Sequence, residues 1–209
     1  MSKIIKIHPD NPHIRAIEQV VDVLKNGGII VYPSDTVYSL GCDVNNIKAM
    51  EKLANLKNVK LEKSFFSLIC NDLSHLSSFS KPIDNTTFRF LKNLIPGPFT
   101  FILNASKNLP NSYKNKKTIG IRVPDHKIPQ MIIEKLGNPI SSTSIHNDDE
   151  ILDYITDPEL IKDKFGGKVD LIIDSGYGGN TVSTIIDLTD SEPNIIRQGK
   201  GMLHNFIVN

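Results

Sequence analysis

Gly28-Ile-Ile-Val-Tyr-Pro-Ser-Asp-Thr-Val-Tyr-Ser-Leu-Gly41 is the stretch that decides the fold. Gly27 and Gly28 end a helical pattern, and Ile29, Ile30 and Val31 then form a short apolar run of buried-strand character. Pro33 ends the ladder, because proline has no N–H to give. Ser34, Asp35, Thr36 and Tyr38 follow at once, and Gly41 closes the segment. Open α/β sheets build ligand pockets from buried strands that end in polar clusters. A strand running into a plain polar turn has the same local pattern, so the rest of the chain must decide between the two.

Outward from this stretch, strands and helices alternate. On its N-terminal side, Ile4–Ile7 reads as a strand, and Asp10-Asn-Pro12 opens a helix that carries Ile14, Ile17, Val20, Val21 and Leu24 at helical spacing. On its C-terminal side, Asn45-Asn46 caps a helix with Ile47, Met50, Leu53 and Leu56 on one face. Further strands are expected at Phe65–Cys70, Phe99–Leu103, Lys117–Pro124, Pro139–Ser144, Val169–Asp174, Ser183–Leu188 and Ile195–Arg197. Asp72 to Ser80 reads as a short helix or turn, and Asn85 as the cap of a helix through Ile95. Gly137 stops a helix over Ile128–Leu136, and Asp157-Pro-Glu opens another to about Phe165. Gly176–Gly179 reads as a hairpin or tight turn. The pattern is that of an α/β protein with a mostly parallel or mixed sheet. No linker, repeat or low-complexity segment interrupts it, so one domain is expected over 1–209, with its core at about 7–201.

The composition is that of an ordinary globular protein: 209 residues, 39% hydrophobic and 22% charged. A net charge of +1 sets up no global field that would demand a nucleic-acid or membrane partner. No run of about 18 apolar residues suggests a membrane span. The N-terminal Met1-Ser-Lys-Ile-Ile-Lys-Ile-His8 lacks the apolar region of a secretory signal, so a cytoplasmic protein is expected. Cys42 and Cys70 are too few for a disulfide framework and read as buried free thiols. His8, His13, His75, His126, His146 and His204 show no metal-ligand spacing, and no metal site is expected on them.

The strand ends share one chemistry. Ser34, Asp35 and Thr36 follow the first strand of the quoted stretch; Thr118 and Arg122 flank Gly120; Ser142, Thr143 and Ser144 end another strand; Ser183, Thr184 and Arg197 come last. Hydroxyls orient small anions, and an arginine fork binds carboxylate or phosphate through two N–H groups. Arg122 sits in the apolar context Ile-Gly-Ile-Arg-Val-Pro, where a buried cation needs an anionic partner, either a ligand carboxylate or an aspartate of the chain. No nucleophile–His–acid triad assembles, and neither GxxxxGK[ST] nor GxGxxG occurs. Lys57, Lys60 and Lys63 follow a helix end, where cations complement the dipole.

The run Tyr32-Pro-Ser-Asp-Thr-Val-Tyr-Ser-Leu-Gly-Cys-Asp43 resembles the YPTDTVYGLGCD signature of the YrdC/YciO-type threonylcarbamoyl-adenylate synthase family. The resemblance continues through Pro96–Leu103, Thr118–Asp125, Ser142–Ser144, Ser183–Thr189 and Ile196–Gly199, and Ile7–Pro12 is similar to the YciO branch. It implies a YrdC-like fold, a twisted open mixed β-sheet flanked by helices with a concave basic surface. It further implies synthesis of threonylcarbamoyl-AMP and pyrophosphate from threonine, bicarbonate and ATP with Mg2+. The product would feed proteins that transfer the group to adenosine 37 of tRNA, the t6A modification. Carried over by position, Thr36, Arg122, Thr143 and Ser183 would contact threonine, and Thr118, Ser144 and Arg197 would contact ATP. The family's K-x-R pair falls on Lys57 and Val59, with Lys60 as a substitute cation, so Lys57 and Lys60 are the candidate catalytic cations. The family's Asn-Pro-Leu is Lys63-Ser-Phe65, and its S-x-N is Ser142-Thr-Ser144 followed by Ile145-His146. A non-catalytic protein that holds double-stranded RNA or tRNA on the same concave surface is the alternative.

Overall fold

The computed structural model of the chain describes residues 2–145, 154–190 and 192–203; His146 and His204 lie outside them. Among the described residues, ten strands form one mixed sheet: β1 (Lys3–Lys6), β2 (Ile30–Tyr32), β3 (Ser39–Asp43), β4 (Ser67–Ile69), β5 (Phe99–Asn104), β6 (Thr118–Arg122), β7 (Ile140–Ser144), β8 (Leu171–Asp174), β9 (Thr184–Asp187) and β10 (Asn194–Arg197). Their order across the sheet is β1-β8-β2-β3-β7-β4-β6-β5-β9-β10. The helices are α1 (Ile14–Lys25), α2 (Ile47–Leu56), α3 (Leu73–Ser77), α4 (Asn85–Leu94), α5 (Lys127–Leu136) and α6 (Pro158–Phe165). This is the single-domain α/β architecture with a mixed sheet that the sequence led us to expect.

Strand alternation sends apolar side chains to two separate cores. One face carries Val31, Leu40, Leu68, Phe101, Ile121 and Ile186 against α2, α4 and α6. The other face carries Ile30, Tyr32, Ile140, Leu171 and Ile173 against α1 and α5. Among the described residues, no side chain of β5, β6, β9 or β10 belongs to the second core. On that half of the sheet the second face has no helical cover, and its inward positions are Thr100, Gly120, Arg122 and Ile185 rather than aliphatic pairs. That uncovered half-face becomes the floor of the site.

Strand β7 lies in the middle of the sheet, yet reads Ile-Ser-Ser-Thr-Ser. Tyrosines make its serines tolerable. On one face Tyr32 Oη lies 2.6 Å from Ser142 Oγ, which donates to Leu40 O at 3.1 Å. On the other face Tyr113 Oη lies 2.7 Å from Ser141 Oγ and donates to Phe66 O. Gly41 permits the first contact: a Cβ there would meet the Tyr32 ring at 2.9 Å. The ring therefore crosses the glycine to reach the next strand.

Several local expectations change. Gly41 does not close a loop; it sits inside β3, which the sequence pattern did not reveal because Ser39-Leu-Gly-Cys-Asp is weakly strand-like. The first helix begins at Ile14 with His13 as its cap position, since Asp10 N turns back onto His8 Nδ1 at 3.2 Å. Asp84, not Asn85, caps α4, accepting from Thr86 N and Thr87 N at 2.8 and 2.9 Å. The strand expected from Phe65 starts at Ser67, the first residue of β4 that pairs with β7. Gly176–Gly179 is no hairpin: β8 and β9 lie on opposite sides of β2, β3, β7, β4, β6 and β5, so the segment crosses over. Asn46 and Gly137 do cap as expected, the first accepting from Ala49 N at 3.0 Å, the second at φ 83°. Strand β10, at one edge, shifts register between Ile195 and Arg197.

Two outcomes are expected. Phe101→Ala, in the first core, costs about 3–5 kcal/mol in urea denaturation, whereas Ile196→Ala on the exposed edge changes stability by no more than about 0.5 kcal/mol. Burial pushes the Tyr32 hydroxyl up to about 12 from 10.0. The folded state therefore favours the neutral phenol, and that stabilisation is complete below pH 10 and is lost as pH rises toward 12. Denaturation midpoints across that window fall more steeply for the wild type than for Tyr32→Phe.

Candidate ligand-binding site

The polar loop after β2 is tied down from three sides. Ser34 Oγ donates to Val37 O at 2.8 Å and accepts from Thr36 N at 3.2 Å, a closed hydroxyl turn. Tyr38 Oη donates to Gly176 O at 2.8 Å and accepts from Ser175 N at 3.1 Å. The glycine-rich crossover then lies directly on the loop: a Cβ at Gly179 would stand 2.1 Å from Thr36 O, and one at Gly178 would stand 2.6 Å from the Tyr38 ring. Here glycine serves close approach of two backbones, which makes the crossover a support of the loop rather than an isolated turn.

Asp35 and Arg122 form the charge centre of the loop. Arg122 Nη2 donates to Asp35 Oδ1, and both side chains are buried. The other carboxylate oxygen accepts from Asp125 N at 3.2 Å, so one aspartate joins the ends of β2 and β6. Of the two partners the apolar context of Arg122 allowed, the structure thus supplies the aspartate of the chain. Yet Arg122 Nε is buried without a hydrogen-bond partner. An orphaned buried N–H costs about 1–3 kcal/mol, which a ligand oxygen would recover.

Around this centre the uncovered half-face encloses a cavity of about 220 Å³. Thr36, Arg122, Thr143 and Ser183 all line it, as do Ser144 and Arg197. Thr100 Oγ1 and Ser183 Oγ lie 2.8 Å apart. Arg197 donates Nε and Nη2 to Ser183 O at 3.3 and 2.9 Å, so its guanidinium holds the backbone of Ser183 as well as facing the cavity. Lys57 Nζ donates to Ser144 O at 3.3 Å. Three candidates do not line the cavity: Lys57, which bonds the carbonyl of the lining residue Ser144, and also Thr118 and Lys60. Thr118 is exposed at the start of β6, two strand positions beyond Gly120 on the same face, and does not line the cavity. Lys60 is exposed at the cap of the 3-10 turn Leu61–Lys63, also outside the lining.

The sequence did not single out Ser39, Ser67, Thr100 or Phe65, which complete the wall. Strand period was the available signal: Ser67 and Ile69, Thr100 and Ile102, and Gly120 and Arg122 alternate with core residues. Burial pushes the thiols of Cys42 and Cys70 well up, so neither supplies a thiolate. Among the described residues, no three His, Cys, Asp or Glu side chains converge as a metal cage, and no helix is long and apolar enough to cross a membrane. The site is one of hydroxyls, two arginines and a lysine, suited to holding a small zwitterion or anion in place.

Known proteins share this fold. The sequence profile of the Sua5/YciO/YrdC family, described as "Telomere recombination", matches residues 22–199. The Escherichia coli protein YciO is 43% identical over 209 residues, 99% of this chain and 100% of that one, and its crystal structure superposes with a TM-score of 0.88 over 97% of this chain and 98% of that chain. A threonylcarbamoyl-AMP synthase of Coxiella burnetii is 31% identical over 79% of this chain and 88% of its own. The crystal structure of P. abyssi Sua5 complexed with L-threonine is 25% identical, with a TM-score of 0.83; 95% of this chain matches 58% of that one. The chain therefore belongs to the Sua5/YciO/YrdC family.

Proposed function

We propose that the cavity binds L-threonine and that the chain is a threonylcarbamoyl-AMP synthase. The observation that carries the reading is the convergence of Thr36, Arg122, Thr143 and Ser183 on one cavity, with Arg122 Nε buried and without a hydrogen-bond partner. A cavity of about 220 Å³ is below the roughly 300 Å³ at which drug-sized pockets begin, and so suits an amino acid. The nucleotide then extends from it past Ser144 and Arg197.

In this reading the threonine carboxylate takes the free edge of Arg122, while Asp35 keeps the guanidinium oriented. The Thr36, Thr143 and Ser183 hydroxyls fix the rest of the amino acid. Its amine bonds the bicarbonate carbon with loss of water, the carbamate oxygen attacks the α-phosphorus of ATP, and the bond to pyrophosphate breaks. No side-chain nucleophile is required, so catalysis is positioning plus stabilisation of charge on the transferring phosphoryl group. Lys57 and Arg197 supply that charge from the protein. Mg2+ would arrive with ATP and would add to the charge stabilisation that Lys57 and Arg197 supply.

The decisive assay is pyrophosphate release with ATP, bicarbonate and threonine. Release that requires all three supports the reading, and no release with any combination overturns it. Arg122→Lys keeps a charge beside Asp35 but lacks the fork, and is expected to weaken threonine binding about tenfold or more in calorimetry with little loss of fold stability; unchanged affinity would remove Arg122 from the site. Arg122→Ala strands Asp35 in the interior and costs about 3–5 kcal/mol of stability in addition. Gly179→Ala drives a methyl onto Thr36 O and lowers threonine affinity, read in the same titration. Lys57→Ala raises the KM for ATP more than Lys60→Ala, because only Lys57 reaches a cavity residue.

A further inference from the structure

Phe65 is 93% exposed, the most exposed of the large apolar side chains among the described residues. Its neighbour Phe66 is buried in the first core. Alternation at the entry to β4 thus sends one ring inward and the other to the wall of the ligand cavity, which Phe65 lines. Nothing in the packing of the chain rewards that placement, since an exposed ring forgoes the burial that stabilises aromatic side chains elsewhere.

The ring is nevertheless held in position. Lys116 Nζ donates to Glu62 O at 2.7 Å and to Ser64 O at 2.6 Å, clamping the segment immediately before it. The same ammonium lies 5.3 Å from the ring centroid, on one face. The opposite face remains for a planar partner. A loop fixed in advance loses little freedom when such a partner arrives.

We propose that Phe65 is the stacking platform for the base of the nucleotide, and that it accepts adenine and guanine alike. The inference rests on the nucleotide-using reading above. The cavity is polar and amino-acid sized, so a base has its place at the rim, where Phe65 stands. Base–aromatic stacking tolerates any base because every base has a π-face. In the turn before the ring, Glu62 O and Ser64 O each already accept a bond from Lys116, so recognition in this proposal is carried by stacking on the ring, which does not separate the two purines.

The test is calorimetric titration of Mg2+–ATP, Mg2+–GTP, Mg2+–tripolyphosphate and L-threonine into the wild type, Phe65→Ala and Phe65→Trp. Thermal melting checks that the variants fold. The expected result is ATP and GTP binding the wild type within about fivefold of each other. Both weaken about tenfold or more in Phe65→Ala and recover in Phe65→Trp. Tripolyphosphate and threonine are unaffected. ATP binding to Phe65→Ala within twofold of the wild type overturns the platform while leaving the synthase reading standing. GTP more than tenfold weaker than ATP overturns base tolerance. No nucleotide binding to the wild type overturns the synthase reading and the platform together.

Discussion

Incomplete helical cover is the constraint on which the rest of this structure depends. A ten-stranded sheet has two faces to bury, and six helices are unevenly shared between them. One face is covered by α2, α4 and α6 and carries aliphatic and aromatic residues from β2 to β9. The other is covered by α1 and α5 from β8 and β2 across to Ile140 of β7 and Ile69 of β4, and no side chain of β5, β6, β9 or β10 joins that core among the described residues. Where cover stops, the period-two pattern continues, but Ser67, Thr100, Gly120 and Arg122 take positions on that face, with Ile185 among them. The pocket is thus not carved into a finished fold. It is the part of the sheet left without an apolar partner, and its chemistry is set by what can remain half-wet on a pleated surface.

That surface must still satisfy its polar groups, and it does so largely with itself. Tyr32 serves Ser142, Thr100 serves Ser183, Arg197 serves the Ser183 carbonyl and Asp35 serves Arg122. These bonds leave few side chains free to move. Buried polar networks that are fully paired rigidify a site, and Arg122 Nε is one of the buried polar atoms left without a partner here. The buried Asp35–Arg122 pair is weak as a source of stability, since desolvation offsets its attraction. Its value lies in orientation, and in joining two strand ends that are far apart in the chain.

Long-period signals were legible in the chain. The faces of α1, α2 and α5 follow from their apolar spacing, and Asn46, Gly137 and Asp157 mark helix ends by their own chemistry. The polar loop at Ser34–Tyr38 and the apolar setting of Arg122 pointed to the site directly. Two kinds of feature were hidden. Strand β3 was hidden because its glycine and aspartate oppose strand formation locally, and pairing with both β2 and β7 overrides them. The partner of Arg122 and the exposure of Phe65 were hidden because they depend on contacts between distant segments: Asp35 with Arg122, and Lys116 with the turn before Phe65. The Gly176–Gly179 crossover belongs to the second kind too, since glycine chosen for contact and glycine chosen for turning leave the same letters in a sequence.

The register shift in β10 has a consequence for the molecule as a member of a crowd. An open sheet has two unpaired margins, and here these are β1 and β10. Strand β10 exposes both Ile195 and Ile196, which on a straight ribbon would invite another copy to add a strand. The shift between Ile195 and Arg197 interrupts the row of N–H and C=O groups at that place, and Lys3 and Lys6 put like charges on the opposite margin. Each end of the described sheet is therefore a poor template for a further strand to add along it.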